Sequence, residues 1–280
     1  MNLHLVNDGV PPISISIIEE ACSTRNISCS IHNAGAFVFA PEIKAAPGDL
    51  LFRPAISANA LKVEQFLYRD GVATFYKDTN GIFFNCNNAN AMFEAAGIPT
   101  PRSFYLNRTT RDTLDYYVEQ LGGYPVVLKV PGHSGGVGVM KLDSQQALYS
   151  VVDFVSMSGQ LHILSAFVDG ATHWRCVVVG EQVVASYINP PDGNDFRTYG
   201  TTNPEEVFSS IDAEIESLAI QAVHALGVYF GGVDILQHPS GRLYVLEANF
   251  PCYYAHAQEV GGIDVAGRMV DFLLARSKSF

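Results

Sequence analysis

Three oxygen-bearing side chains stand where half-buried strands normally carry apolar residues. Asp234 lies in GGVDIL, and Glu247 and Asn249 lie in LYVLEANF. Glu247 and Asn249 are two residues apart, so their side chains face the same way on one strand, and a tight turn at 239–241 would place Asp234 opposite Glu247. Two carboxylates and an amide oxygen on one sheet face suit a hard cation such as Mg²⁺. The structural alternative for an acidic residue in a strand is a solvent-facing position or a salt bridge. Two bare carboxylates side by side would repel, which favours a metal or a basic partner beside them.

A glycine-rich turn between two apolar runs is the second feature with chemical potential. Residues 124–142 read YPVVLKVPGHSGGVGVMKL, and the β-branched runs on both sides of the turn predict a hairpin. The glycines allow a tight turn whose N–H groups can approach a ligand, and Lys129 adds a positive charge just before it. The pattern therefore predicts an anion site. A plain hairpin with a glycine-rich tip is the structural alternative.

Two arginines are candidates for binding phosphate or carboxylate oxygens. Arg175 lies in the apolar run HWRCVVV, and Arg197 lies in the polar run DFRTYG. A planar guanidinium can bind such oxygens with two parallel hydrogen bonds, but either arginine could instead pair with the carboxylates. His133, inside the glycine-rich turn, could contact phosphate or only fill space. The remaining candidates are interpreted as packing or pocket-lining residues: His173, His224, His256, Tyr253 and Tyr254.

The same turn also fits a different chemistry. Residues 132–136, GHSGG, match G-x-S-x-G, the nucleophile elbow of α/β-hydrolases, and Asp234 and His256 follow in the chain order of that fold. The elbow requires a strand before the serine, Ser134, and a helix after it. Residues 137–141 read VGVMK, which shows β-branched residues and no helical period. A serine hydrolase is therefore the less favoured alternative.

Composition limits the remaining classes of function. The chain has 280 residues, of which 48% are hydrophobic and 16% charged, so it can bury a sizeable core in two joined lobes. A net charge of −11 disfavours free nucleic acid and anionic membranes as partners. The five cysteines form no C-x-x-C pair, and the sequence shows neither a signal peptide nor an apolar run of about 18 residues. These features predict a soluble, cytoplasmic protein.

Hydrophobic periodicity predicts the elements that position these residues. Residues 1–85 alternate short strands with helices, which predicts βαβ units and a mainly parallel sheet, and the predicted strands include 37–39. A helix over 109–121 precedes the central hairpin. The later elements, in order, are a helix at 144–155, a strand at 162–168, a second hairpin over 174–187, a polar loop at 189–203, a helix at 212–226, a third hairpin over 232–248 and a helix at 264–275.

Taken together, these motifs resemble the ATP-grasp superfamily, most closely the RimK-type amino-acid and peptide ligases. The resemblance covers roughly residues 84–274, and it rests on the stretches AGIPTPRSF, YPVVLKVPGHSGGVGV, WRCVVVGEQVVAS, DFRTYG, GVDIL, LEANF and GIDVAGRMVDFLL. It implies an α/β (α+β) fold with a pre-ATP-grasp domain over 1–85 and an ATP-grasp domain over 86–280. The latter would divide into a central lid, about 100–168, and a C-terminal catalytic part, about 169–280.

The resemblance also implies a reaction and a set of site residues. The implied reaction is ATP-dependent ligation of a carboxylate to an amine through an acyl phosphate, on small-molecule or peptide substrates and with Mg²⁺ or Mn²⁺; self-association into a homo-oligomer is compatible with it. Asp234, Glu247 and Asn249 would hold the metal. Arg175 and Arg197 would steady the transferring phosphate and the acyl oxygen. The implied nucleotide contacts are Lys129, His133, Ser134, Gly135, Gly136, Val137, Gly138, Phe167 and Val168.

Four positions depart from the family pattern. Cys86 stands where a lysine is usual, and Ala166 stands where the strand that frames adenine usually has a glutamate. His173 replaces the aspartate of an Asp-Ile-Arg triplet, and Tyr199 replaces an asparagine near the acceptor. The first two departures support a second hypothesis, a catalytically silent nucleotide-binding module.

Overall fold

The structure, a computed structural model, describes residues 1–83, 89–107, 109–130, 135–157, 159, 161–191, 193 and 195–279. The strands are β1 (Asn2–Asn7), β2 (Ser28–Asn33), β3 (Leu50–Phe52), β4 (Ser103–Leu106), β5 (Val126–Lys129), β6 (Val139–Leu142), β7 (His162–Ala166), β8 (Thr172–Val179), β9 (Gln182–Ile188), β10 (Val207–Phe208), β11 (Phe230–Gln237) and β12 (Leu243–Asn249). The α-helices are α1 (Pro12–Ser23), α2 (Ala58–Leu67), α3 (Ala89–Ala95), α4 (Arg111–Gln120), α5 (Gln145–Ser156), α6 (Ala213–Ala225), α7 (Ala255–Gly261) and α8 (Val265–Ser277).

The first sheet, called the N-terminal sheet, contains three parallel strands in the order β2-β1-β3. This arrangement confirms the parallel βαβ organisation predicted for the start of the chain. The predicted strand at 37–39 is wrong, because these residues lie in a loop. Phe37 and Phe39 pack edge-on against each other and against Phe66 of α2. Aromatic packing, rather than strand pairing, therefore accounts for this apolar run.

The central sheet is antiparallel, with the order β4-β7-β5-β6. The hairpin predicted around the glycine-rich turn is confirmed by the pairing of β5 with β6. α4 and α5 cover one face, and the buried residues between helices and sheet form one cluster. Because side chains alternate along a strand, every second residue of β5 and β6 points to the face opposite α4 and α5.

The C-terminal sheet is also antiparallel, with the order β10-β9-β8-β11-β12. Its two predicted hairpins, β8–β9 and β11–β12, are confirmed. α6 packs on one face through small residues such as Ala219 and Ala222. On the other face Phe230 belongs to a buried cluster that also contains Leu5 of β1 and Met269 of α8. The N-terminal and C-terminal sheets therefore share a core.

Polar side chains cap the N-termini of several helices at the positions that the sequence predicts. The side chains of Thr110, Asp212 and Asp264 accept hydrogen bonds from backbone N–H groups in the first turns of α4, α6 and α8. The short helix α7 and the short strand β10 were not predicted. α7 has only 7 residues, too few to show a clear helical period, and it ends at Gly262 in the left-handed conformation. Among the described residues, no helix is long and apolar enough to cross a membrane.

Candidate nucleotide and metal site

Asp234 lies on β11, an inner strand of the C-terminal sheet between β8 and the edge strand β12. The register places Arg175 of β8 directly beside it, and Arg175 Nη1 donates to Asp234 Oδ2 at 2.6 Å. His173 lies two residues earlier on β8, and its Nε2 contacts Asp234 Oδ1 at 3.0 Å. The three side chains are only 11% or 12% exposed. Both oxygens of this carboxylate are therefore engaged by groups from β8.

A shift in strand register brings Glu247 opposite Asp234. Ile235 pairs with Val245, so regular pairing would put Asp234 opposite Leu246. The register shifts at this point, and Asp234 pairs with Glu247 instead. Because side chains alternate between the two faces, this one-residue bulge turns Glu247 toward Asp234 and away from the core under α6. The predicted opposition is confirmed, although the bulge that produces it was not predicted.

Glu247 and Asn249 lie on the same side of β12, as predicted. Asn249 Nδ2 donates to Glu247 Oε1 at 2.8 Å. An ionised carboxylate only accepts hydrogen bonds, so the amide NH₂ of Asn249, and not its Oδ1, faces Glu247. Both residues are exposed and offer oxygens, which fits a hard cation. The described residues contain no group of three or more His, Cys, Asp or Glu that could hold a metal, so a cation here would also need oxygens from a bound ligand.

The electrostatics of Asp234 are those of a buried ion pair, one of the alternatives that the sequence left open. Burial alone would raise the pKa of Asp234, but the charge of Arg175 and the hydrogen bond from His173 outweigh burial and lower the pKa to about 2. Burial also works against the charged form of Arg175, but the neighbouring carboxylate raises its pKa above the usual value. The salt-bridge alternative is therefore realised for Arg175, while its contact with a ligand stays a prediction.

Gly232 allows Arg175 to reach across β11. A Cβ at Gly232 would lie 2.2 Å from Arg175 Nη2 and 2.5 Å from Arg175 Cζ. These distances are far below van der Waals contact, so any side chain at Gly232 would displace the guanidinium from Asp234. The missing side chain of Gly232, the second glycine of GGVDIL, thus leaves the room that the Arg175–Asp234 ion pair needs. The motif itself does not reveal this role.

The glycine-rich turn leads from β5 into β6. Gly135, Gly136 and Gly138 have φ values of 63°, 74° and 81°, in the left-handed region that favours glycine. Their residue type is therefore explained by the backbone, as the sequence suggested. His133 and Ser134, both predicted to contact nucleotide, lie outside the described residues.

Lys129 ends β5 on the face of the central sheet opposite α4 and α5. Val126 and Leu128 pack toward the helices, so alternation directs Lys129 the other way. Lys129 pairs with Val139 of β6, and Lys141 lies two residues further along β6, on the same face. The two lysines are therefore diagonal neighbours across the hairpin. Lys141 was not predicted, although the alternation in VMKL could have indicated it.

Arg197 joins the glycine-rich turn to the 189–203 loop. Its Nη1 donates to Gly136 O at 3.2 Å, and a Cβ at Gly136 would meet Arg197 Cδ at 3.0 Å. Asp195 Oδ2 accepts from Arg197 Nε at 2.8 Å and from Nη2 at 2.6 Å. These hydrogen bonds hold the guanidinium over the turn and lower the pKa of Asp195. Asp195 is a positioning group that was not predicted.

Val137, next in the turn, is 58% exposed.

Phe167 and Val168 come directly after the last residue of β7, an inner strand of the central sheet. The Phe167 ring contacts Phe196 of the 189–203 loop with centroids 6.3 Å apart, and Lys141 Nζ lies 4.6 Å from the Phe167 centroid. Phe167 and Lys141 line a cavity of about 310 Å³ together with the turn at 121–125. Val168 is half-buried. An aromatic wall beside a cation suits a nucleotide base, and this assignment stays a prediction.

The geometry does not support the serine hydrolase. Both oxygens of Asp234 face β8, and His256 Nε2 instead contacts the Thr201 carbonyl oxygen at 2.9 Å. The described parts of Asp234 and His256 therefore do not form the pair that would activate a serine. Strand β6, rather than a helix, follows the turn.

The family model of the RimK-like ATP-grasp domain matches residues 85–273. The match spans well over half of the chain and contains the ion pair, the register shift and the glycine-rich turn. The chain belongs to the RimK-like ATP-grasp domain family, and the resemblance seen in its motifs is confirmed.

Similar proteins agree with this assignment. A probable alpha-L-glutamate ligase of Citrobacter koseri is 31% identical over 165 residues, which cover 58% of this chain and 54% of that protein. The chain thus spans about half the length of this curated relative. The structure of the ATP-grasp ligase PsnB complexed with minimal precursor has a TM-score of 0.75 at 16% identity, covering 99% of this chain and 100% of that one. PsnB complexed with minimal precursor, Mg and ADP gives 0.71 at 16% identity, covering 98% and 97%. These two likenesses confirm the fold class.

Proposed function

We propose that this chain is an ATP-dependent carboxylate–amine ligase that forms an amide or peptide bond and releases ADP and phosphate. A continuous series of contacts supports this function. Gly136 O accepts from Arg197, the adjacent Thr198 is hydrogen-bonded to His173, and His173 contacts Asp234. The series links the glycine-rich turn of the central sheet to Asp234 in the C-terminal sheet. A nucleoside triphosphate with its divalent cation requires this combination of anion site and oxygen ligands.

Each residue has a defined part in the proposed reaction. Lys129 contacts the α- and β-phosphates, and the glycine-rich turn covers them. Asp234, Glu247 and Asn249 hold the cation, which when bound neutralises charge on the transferring phosphate. Arg197 steadies the phosphate and the acyl oxygen. The chain's own contribution is positioning and charge neutralisation, with an acyl phosphate forming on the acid substrate.

The proposal includes a division of the chain and a class of substrate. A pre-ATP-grasp domain over 1–85 and an ATP-grasp domain over 86–280 agree with a family match that begins at residue 85. Glutamate is the first acid or amine to test, because a relative is named a glutamate ligase. Peptides come next, because PsnB was solved with a precursor.

The decisive experiment incubates the purified chain with Mg²⁺, ATP and pairs of amino acids or peptides, and measures ADP release and the mass of the product. A ligase yields a product that equals acid plus amine minus one water, with one ADP per bond. Nucleotide binding without ADP release for any pair would favour the silent binding module over the ligase.

Glu247→Gln should abolish the joint effect of Mg²⁺ and ATP on thermal stability. In the wild type, Mg²⁺ and ATP together should raise the unfolding temperature more than either alone, because the cation would be held by oxygens of the side chains and of the phosphates at once. The size of the effect is set by occupancy: ligand at about 100 times its Kd stabilises the folded state by about 2.7 kcal/mol. The amide keeps the shape of the side chain but removes one charge from the metal site. Differential scanning fluorimetry measures the shift. Glu20→Gln, on the exposed face of α1, is the matched control and should keep the full effect; a Glu247 variant that also keeps it would remove this residue from the metal site.

A further inference from the structure

His173 lies between the predicted metal ligand and the loop that carries Arg197. Its Nε2 lies 3.0 Å from Asp234 Oδ1, and its Nδ1 is hydrogen-bonded to Thr198 Oγ1. An ionised carboxylate only accepts, so Nε2 donates to Asp234; in the neutral ring Nδ1 then accepts, and the Thr198 hydroxyl donates. One imidazole thus uses both nitrogens to connect two separate parts of the site.

Thr198 sits at a point where a small shift matters. It follows Arg197, whose guanidinium contacts Gly136 O. It also faces Pro191 across an isolated bridge that closes the loop on itself. The loop begins at Asn189, whose backbone N–H donates to the His173 carbonyl oxygen at 2.8 Å. Displacement of the His173 ring would therefore be transmitted directly to Arg197 and the glycine-rich turn.

We infer that His173 is a positioning residue that couples occupation of the metal and nucleotide site at Asp234 to the conformation of residues 195–201, which include Arg197 and Thr198. This inference rests on the proposed function. A ligand that fixes Asp234 fixes the His173 ring, and the ring holds Thr198 and with it Arg197. Coupling of this kind is reciprocal: if the bound ligand orders the loop, loosening the loop weakens the ligand by the same factor.

The test follows amide hydrogen exchange of residues 195–201 in the full chain, with and without Mg²⁺ and a non-hydrolysable ATP analogue. In the wild type, the analogue should slow exchange in this segment. Thr198→Val removes the hydroxyl and keeps the side-chain shape, so it should lose most of this slowing and bind the analogue about three- to tenfold more weakly, as expected for one hydrogen bond. Thr202→Val, an exposed threonine in the same loop, should behave as the wild type.

His173→Gln supplies an independent arm, because its amide can still donate to Asp234 but lacks the second ring nitrogen. It should reproduce the Thr198→Val effect, and the double variant should be no worse than either single variant, since both remove the same contact. Wild-type loop protection in both single variants, or additive effects in the double variant, would overturn the inference. Failure of the proposed function would look different: the analogue and Mg²⁺ would then fail to stabilise even the wild type, and both proposals would fall.

Discussion

Arg175→Met should lower the free energy of unfolding by about 3–5 kcal/mol, the usual cost of removing one partner from a buried ion pair. Asp234 would remain buried without the opposite charge that Arg175 supplies, although it would keep the contact with His173. Methionine fills much of the space of the arginine stem, so the loss reports the charge rather than a cavity. Denaturant unfolding followed by circular dichroism measures it.

Two further variants separate this effect from a general response to losing an arginine. Arg242→Met removes an exposed arginine beside the turn of the β11–β12 hairpin and should change stability by no more than about 0.5 kcal/mol. Arg175→Met combined with Asp234→Asn removes both charges and should recover part of the loss. If Arg175→Met unfolds at the wild-type midpoint, the Arg175–Asp234 pair contributes nothing to the fold.

Lys129→Ala should lower the ATP-dependent rate by about 10²–10³, the effect of losing one preorganised donor to developing charge. Lys129 is half-buried at the end of β5, next to the glycine-rich turn and on the face opposite α4 and α5. Its removal leaves the packed face of the sheet intact, so stability should change little. The measurement is kcat/KM for ADP release with the acid and amine that the substrate screen identifies.

Lys62→Ala, an exposed lysine on α2, is the matched control and should keep the wild-type rate. Lys141→Ala is the informative comparison, because Lys141 shares the sheet face with Lys129. Full activity of the Lys129 variant together with loss of activity in the Lys141 variant would transfer the phosphate contact to the second lysine.

Most of the fold could be predicted because its helices and strands have clear signals in the local sequence. Alternating apolar residues and Gly-containing turns indicate the three hairpins, and Thr110, Asp212 and Asp264 mark helix starts. The errors arose where local pattern is a poor guide. Residues 37–39 look like a strand but are held by aromatic contacts with α2, and α7 is too short to show a period.

The site could be predicted only in part, because its geometry depends on contacts between strands. The sequence placed Glu247 and Asn249 on one side of β12, but it could not reveal the bulge that turns Glu247 toward Asp234. It left open whether a metal or an arginine lies beside the carboxylates, because the pairing of β8 with β11, which delivers Arg175 and His173, is not encoded within either strand. Cross-strand neighbours are a property of the sheet and not of a motif.

The separate core of the central sheet has a consequence for the protein's history. Within the part of the chain that the structure describes, its buried cluster draws only on residues between Leu106 and Leu164, whereas the buried cluster shared by the other two sheets combines both ends of the chain, as in Leu5 and Met269. A segment with its own core can be exchanged by recombination without exposing the buried residues of the rest of the molecule. Exchange of the segment that carries Lys129 would therefore disturb one buried cluster, whereas exchange of the segment that carries Asp234 would also disturb the core shared with the N-terminal strands.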